Sequence, residues 1–95
     1  MEKYIVVLEK SETGFSAFSP DVAGCITVGH TVESTIENMR EAMALYFETL
    51  AEDGSDLPAG KGIEYHIKNG LLRQGEISEP YYLTEIEIQM PEMAS

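Results

Sequence analysis

The hydrophobic pattern along the chain changes period several times, and each change marks an element. Tyr4 to Leu8 is an unbroken apolar run, YIVVL. A strand of this kind needs cover on both faces and takes a central place in its sheet. Lys10 to Gly14 is polar and closes on glycine, as a short hairpin loop does. Phe15 to Ser19, with Phe15, Ala17 and Phe18 apolar, then reads as a second strand antiparallel to the first. Pro20 cannot donate to a ladder and ends it. Asp21 is expected to accept nearby backbone N–H groups in an Asx-type turn. Gly24 is expected to take a backbone conformation closed to other residues. Pro20, Asp21, Gly24 and Cys25 thus form a structural corner. Cys25 to Val28 follows as a short third strand and a candidate sheet edge.

From Thr31 the period becomes helical. Thr31 suits the N-cap position, and Glu33 sits in the first turn where the helix dipole favours an acid. Val32, Ile36, Met39, Met43, Tyr46 or Phe47, and Leu50 recur at spacings of three and four and form one apolar stripe. Glu33, Glu37, Glu41, Glu48 and Glu52 gather on nearly the opposite side. Like charges at i,i+4 oppose the helix mildly, so packing must hold it. Leu45 falls outside the stripe, which makes it a candidate oligomer or partner contact. Asp53-Gly54 ends the helix.

Lys61 to Arg73 reads two ways. Ile63, Ile67 and Leu71 at four-residue spacing suggest a short helix stopped at Asn69-Gly70. The Asn-Gly pair also fits a hairpin joining Ile63–Lys68 to Leu71–Gln74. The helix is the preferred reading. Tyr81 to Met90 alternates as a strand, with Tyr82, Ile86, Ile88 and Met90 on one face and Glu85, Glu87 and Gln89 on the other. The expected fold class is α+β: a three-stranded antiparallel meander, one long helix, a further short element and a last strand. The right-handed crossover rule predicts that this last strand pairs parallel to the first, in a β-β-β-α-β order.

Charge narrows the function. Seventeen acids against six bases give a net charge of −11. Phosphate neutralisation needs Lys and Arg, so nonspecific nucleic-acid binding is disfavoured, and an anionic membrane would repel the chain. A basic protein partner steered in by the field fits this balance. Cys25 is the single cysteine, which rules out an internal disulfide and any zinc site built on several cysteines. The apolar stretch near the N-terminus is too short for a signal h-region or a membrane span. A cytoplasmic location is expected.

No catalytic grouping emerges. His30 and His66 lie in no metal-binding pattern, and surface or capping duty suits both. Cys25 lacks an adjacent base and reads as a buried structural thiol. Ser16, Ser19 and Ser34 lack a nucleophile elbow. There is no phosphate loop, and the first strand carries no acids inside its apolar run for a two-metal nuclease. No enzyme activity, cofactor or metal is expected.

The corner and the helix together resemble the HicB-type antitoxin family. The residues that carry the resemblance are Val7-Leu-Glu-Lys10, Gly14-Phe-Ser-Ala-Phe-Ser-Pro-Asp21, Val22-Ala-Gly-Cys25, Gly29-His-Thr-Val-Glu33, Met39-Arg-Glu-Ala-Met-Ala-Leu45 and Glu52-Asp-Gly54. They cover most of residues 3–58. The family usually has proline before the corner glycine, and here Ala23 stands there. The resemblance implies a partial RNase H-like fold without the nuclease acids, and a single domain over residues 1–95. It implies binding and occlusion of a small basic ribonuclease toxin. Phe15, Phe18, Asp21 and Leu45 are the candidate partner contacts. Homo-oligomerisation, as a dimer or larger, is expected. Many family members add a C-terminal DNA-binding domain. With five residues after Met90, none is expected here, and operator binding by this chain alone is not expected either. The alternative reading is an orphan oligomeric regulatory domain of unknown ligand, without enzymatic activity.

Overall fold

The apolar first run lies inside the sheet, as its composition demands. The computed structural model describes residues 2–71 and 80–91. Its elements are β1 (Glu2–Lys10), β2 (Phe15–Ser19), β3 (Val22–Gly29), α1 (Val32–Glu52), α2 (Ile63–Lys68) and β4 (Tyr81–Ile88). The four strands form one sheet in the order β3-β2-β1-β4. Tyr4 to Leu8, near the middle of β1, are all buried.

The pleat sends alternate residues to opposite faces. Tyr4, Val6, Leu8, Ala17, Val22, Cys25, Ile86 and Ile88 face α1 and meet Met39, Met43 and Phe47 in the core. Tyr4 and Phe47 pack with ring centroids 5.2 Å apart. The helix therefore settles the choice within its stripe: Phe47 is buried and Tyr46 is 40% exposed. Thr31 accepts from the Ser34 backbone N–H while the Ser34 hydroxyl accepts from Thr31 N–H, a reciprocal capping box. The helix closes at Asp53, with Gly54 at positive φ. The segment from residue 61 takes the helical alternative as α2, ending at Asn69 and Gly70. The strand alternative for residues 72–74 lies outside the described residues.

One expectation is overturned. All strand pairs are antiparallel, including β1 with β4, where Glu2 pairs with Ile88 and Glu9 with Tyr81. The crossover rule applies to a single helical return between strands. Here α1 brings the chain back to the end of the sheet where β1 begins, as the Gly60 N–H bond to the Glu2 carboxylate shows. The chain re-enters at the opposite end, where Lys10 N–H bonds to the Pro80 carbonyl at 3.2 Å. It has crossed the length of the sheet twice since β3, so β4 runs opposite to β1.

Candidate functional site

The corner after β2 brings three parts of the chain together at one buried polar site. β2 pairs with β1 only as far as Phe18 opposite Val7. Pro20 then turns the chain away, and the Ile5 N–H on that side of β1 loses its strand partner. A buried amide needs a substitute. The Asp21 carboxylate supplies it, with Oδ2 accepting from Ile5 N at 2.9 Å.

The same carboxylate reaches two further groups. Its Oδ1 accepts from the Lys61 backbone N–H at 2.9 Å and lies 2.6 Å from His66 Nε2. An ionised carboxylate only accepts, so Nε2 carries the proton. The Asp21 side chain is 0% exposed and that of His66 is 8% exposed. Asp21 thus ties the β2–β3 corner, β1 and the α2 segment at one point. The local turn is held by another group: the Ser19 hydroxyl accepts from Asp21 N–H at 3.2 Å. The expected Asx-type turn is therefore replaced by a serine-mediated one, because the aspartate is drawn to partners 16, 40 and 45 residues away. Gly60 completes the passage around the start of β1. A Cβ on it would run into the Lys3 carbonyl oxygen. Gly24 takes φ +83°, as the corner requires.

Cys25 is buried, and its sulfur contacts Met39 Sδ at 3.7 Å. Burial pushes its thiol pKa up, the reverse of what a nucleophile needs. Burial first, and the Glu2 and Asp21 charges second, push the Tyr4 phenol up to about 12. Tyr4 donates to the Pro58 carbonyl at 2.7 Å. Among the described residues, no group of three or more His, Cys, Asp or Glu side chains is placed to hold a metal ion. No described helix is long and apolar enough to cross a membrane.

The residues read as partner contacts do not share one surface. Phe15 shares the face of Ala17, where its ring meets Tyr82 edge-on at 6.0 Å and Lys10 Nζ lies 5.1 Å from its centroid. Phe18 points through the opposite face, half-buried between Val7 and Ile26 across the sheet. Leu45 is 66% exposed on α1. The Asp21 carboxylate is engaged inside the chain. His66 is the residue that sequence reasoning passed over. Its partner is 45 positions away, and no local pattern signals the pair.

The acidic groups form two exposed surfaces. One is the solvent side of α1, where Glu33, Glu37, Glu41, Glu48 and Glu52 are all exposed. An ion pair there joins Arg40 to Glu37 at 3.2 Å. The other is β4, with Glu85 and Glu87 exposed.

Comparison with known proteins gives this geometry a family. A model described as "HicB_like antitoxin of bacterial toxin-antitoxin system" matches residues 4–89. An uncharacterised 14.9 kDa protein of Haemophilus phage HP1 is 34% identical over 64 residues, which is 67% of this chain and 48% of that protein. The match thus spans about half the length of the phage relative. A UPF0150 protein of Synechocystis is 41% identical over 56 residues, 58% of this chain and 71% of the relative. Among solved structures, a chain of the HicA3 and HicB3 toxin-antitoxin complex superposes with TM-score 0.71 at 30% identity, covering 92% of this chain and 98% of that one. The N-terminal domain of Burkholderia pseudomallei antitoxin HicB matches with TM-score 0.73 at 22% identity, over 93% of this chain and 99% of that domain, a likeness of fold. With a sheet and helix of this architecture and a family match over nearly its whole length, the chain belongs to the HicB-like antitoxins of bacterial toxin-antitoxin systems, a non-enzymatic family.

Proposed function

We propose that this chain binds and occludes a small basic ribonuclease toxin of the HicA kind. The observation that carries the reading is the match, over 92% of this chain and 98% of the other, to a chain from a complex of HicA3 with HicB3. The charge supports it independently. A net charge of −11 attracts a basic partner and speeds its encounter. The exposed carboxylates of α1 and β4 supply that field. Phe15 and Phe18, half-buried on opposite faces of β2, are the aromatic anchors available to a partner that wraps the strand end. Asp21 contributes by fixing the corner on which both stand. Operator binding is disfavoured by six bases against seventeen acids, so a DNA-binding role falls outside the proposal. The single thiol of Cys25 suits a reducing cytoplasm.

The test is direct. Any short basic protein of the HicA kind encoded beside this chain is purified, and its RNA cleavage is measured with increasing amounts of this chain. Stoichiometric loss of cleavage, with an affinity that falls as salt rises, is expected. Absence of binding at micromolar concentrations would overturn the reading.

A further inference from the structure

The outer edge of β4 presents an ordered row of unpaired peptide groups. In an antiparallel pair, the N–H and C=O of one residue point to the same side, and the sides alternate along the strand. Lys10 N–H bonds to the Pro80 carbonyl, and Ile5 N–H bonds to Asp21 on the other side of β1. Even-numbered residues of β1 therefore address β4. Their partners Tyr82, Thr84, Ile86 and Ile88 point back to β1. The peptide groups of Leu83, Glu85 and Glu87 then point outward. Among the described residues no strand pairs with them. No proline and no register shift interrupts β4 between Tyr81 and Ile88. The Glu85 carbonyl carries a long contact from the Thr84 hydroxyl, at 3.4 Å, which leaves its capacity for a proper hydrogen bond intact.

The same three residues send their side chains to the sheet face away from α1, the face of Ile5. Leu83, Glu85 and Glu87 are all exposed there. An open groove of about 310 Å³ runs beside them, lined by Ile5, Ile63, Leu83, Thr84 and Glu85. The edge thus offers one apolar position and two carboxylates at two-residue spacing, each next to an outward peptide group. Glu87 lies 3.9 Å from Lys3 Nζ, an exposed pair of little strength that a closer cation can displace. Charges on an edge strand ordinarily keep other strands away. These two glutamates do so against an acidic strand and do the reverse for a strand that carries bases.

We infer that the outer edge of β4 takes an added antiparallel strand from a basic partner protein. The inference rests on the function proposed above, under which that strand belongs to the toxin. Leu83, Glu85 and Glu87 each exchange backbone hydrogen bonds with the residue opposite. Read from the N-terminus of the added strand, a base meets Glu87. A second base two residues later meets Glu85. An apolar residue two positions further on meets Leu83 and the groove. Main-chain bonds supply the affinity of such a strand, and its alternate side chains supply the selection. Charge selects the occupant: an acidic strand in this place would set carboxylate beside carboxylate, and the net charge of −11 opposes its approach.

The probe is a peptide with blocked ends, Thr-Thr-Lys-Thr-Arg-Thr-Val-Thr-Thr, titrated into the full isotope-labelled chain and followed by amide resonances. Saturable binding with Kd of about 1 mM or tighter at low salt is expected, weakening as salt rises. The Leu83, Glu85 and Glu87 amides should shift most and gain exchange protection, while those of Thr84 and Ile86 should change little. Glu85→Pro removes an N–H that points outward, so the fold is kept and peptide binding should weaken about tenfold or more. Glu85→Lys with Glu87→Lys should have the same effect. Glu33→Lys with Glu41→Lys, the same charge change on α1, should leave Kd within about twofold, because screening confines the effect of distant charges. Absence of saturable binding at about 10 mM peptide, shifts centred on α1, or equal weakening by the two charge-reversed pairs would overturn the inference. A HicA-type toxin neutralised equally by wild type and by Glu85→Pro would overturn this docking mode and leave the proposed function standing. A toxin that wild type fails to neutralise would overturn the function.

Discussion

Replacing Asp21 by alanine should come close to unfolding the protein. The side chain is fully buried and satisfies Ile5 N–H, Lys61 N–H and His66 Nε2. Lys61 is exposed, so water can replace its lost acceptor at little cost. Ile5 and His66 are buried, 2% and 7% exposed, and water reaches neither easily. Each stranded buried donor costs about 1–3 kcal/mol. A loss of about 4 kcal/mol is therefore expected, against a total of about 5–10 kcal/mol for a domain of this size. Asp21→Asn keeps the shape and one acceptor but turns an amide donor toward a donor. It should cost less, about 1–3 kcal/mol. Urea unfolding followed by circular dichroism gives both values. A double-mutant cycle with His66→Ala should show a coupling of about 1–3 kcal/mol. Hydrogen exchange adds a local readout, because the Ile5 amide should lose protection in either variant. An Asp21→Ala protein within about 0.5 kcal/mol of wild type would refute the assignment of the carboxylate as a long-range tie.

Four further outcomes follow from single residues. Gly60→Ala should destabilise by about 2 kcal/mol or more, since its Cβ meets the Lys3 carbonyl, and a neutral effect in a thermal melt would contradict that close passage. Gly24→Ala has open space around it but φ +83°, so it should cost only about 1 kcal/mol by the same measurement. Tyr4 ionises at about 12 in the folded chain against 10.0 unperturbed. Because the folded state holds its proton more tightly, that contribution is complete below pH 10 and is lost as pH rises from 10 towards 12. An ultraviolet titration should show one of the five tyrosines titrating late, with stability falling over the same interval. Cys25 should react with a maleimide far more slowly in the folded protein than in urea, as mass spectrometry would show, because its thiol is buried and its pKa raised.

The sequence was most informative where structure is local or where burial is two-sided. The YIVVL run could only be a central strand, and β1 lies between β2 and β4. The helix stripe, the Thr31 cap and the Asp53-Gly54 stop were readable because each depends on neighbours within a turn or two. The direction of β4 was not readable. It depends on which end of the sheet the chain has reached after α2, and no residue in YYLTEIEI encodes that. The Asp21 site shows the same limit. The corner itself was legible from Pro20 and Gly24, but the destination of the carboxylate was not, because His66 and Lys61 arrive by tertiary folding. Leu45 stood out as an apolar residue outside the stripe. It stands 66% exposed on α1.

The central claim, that this chain neutralises a basic ribonuclease toxin, is tested most directly by isothermal titration of any HicA-type basic protein encoded beside it into this chain at low and at high salt. The account predicts saturable binding that weakens as salt rises, together with loss of RNA cleavage at the same stoichiometry. Binding that is absent, or that leaves RNA cleavage intact at saturation, would contradict it.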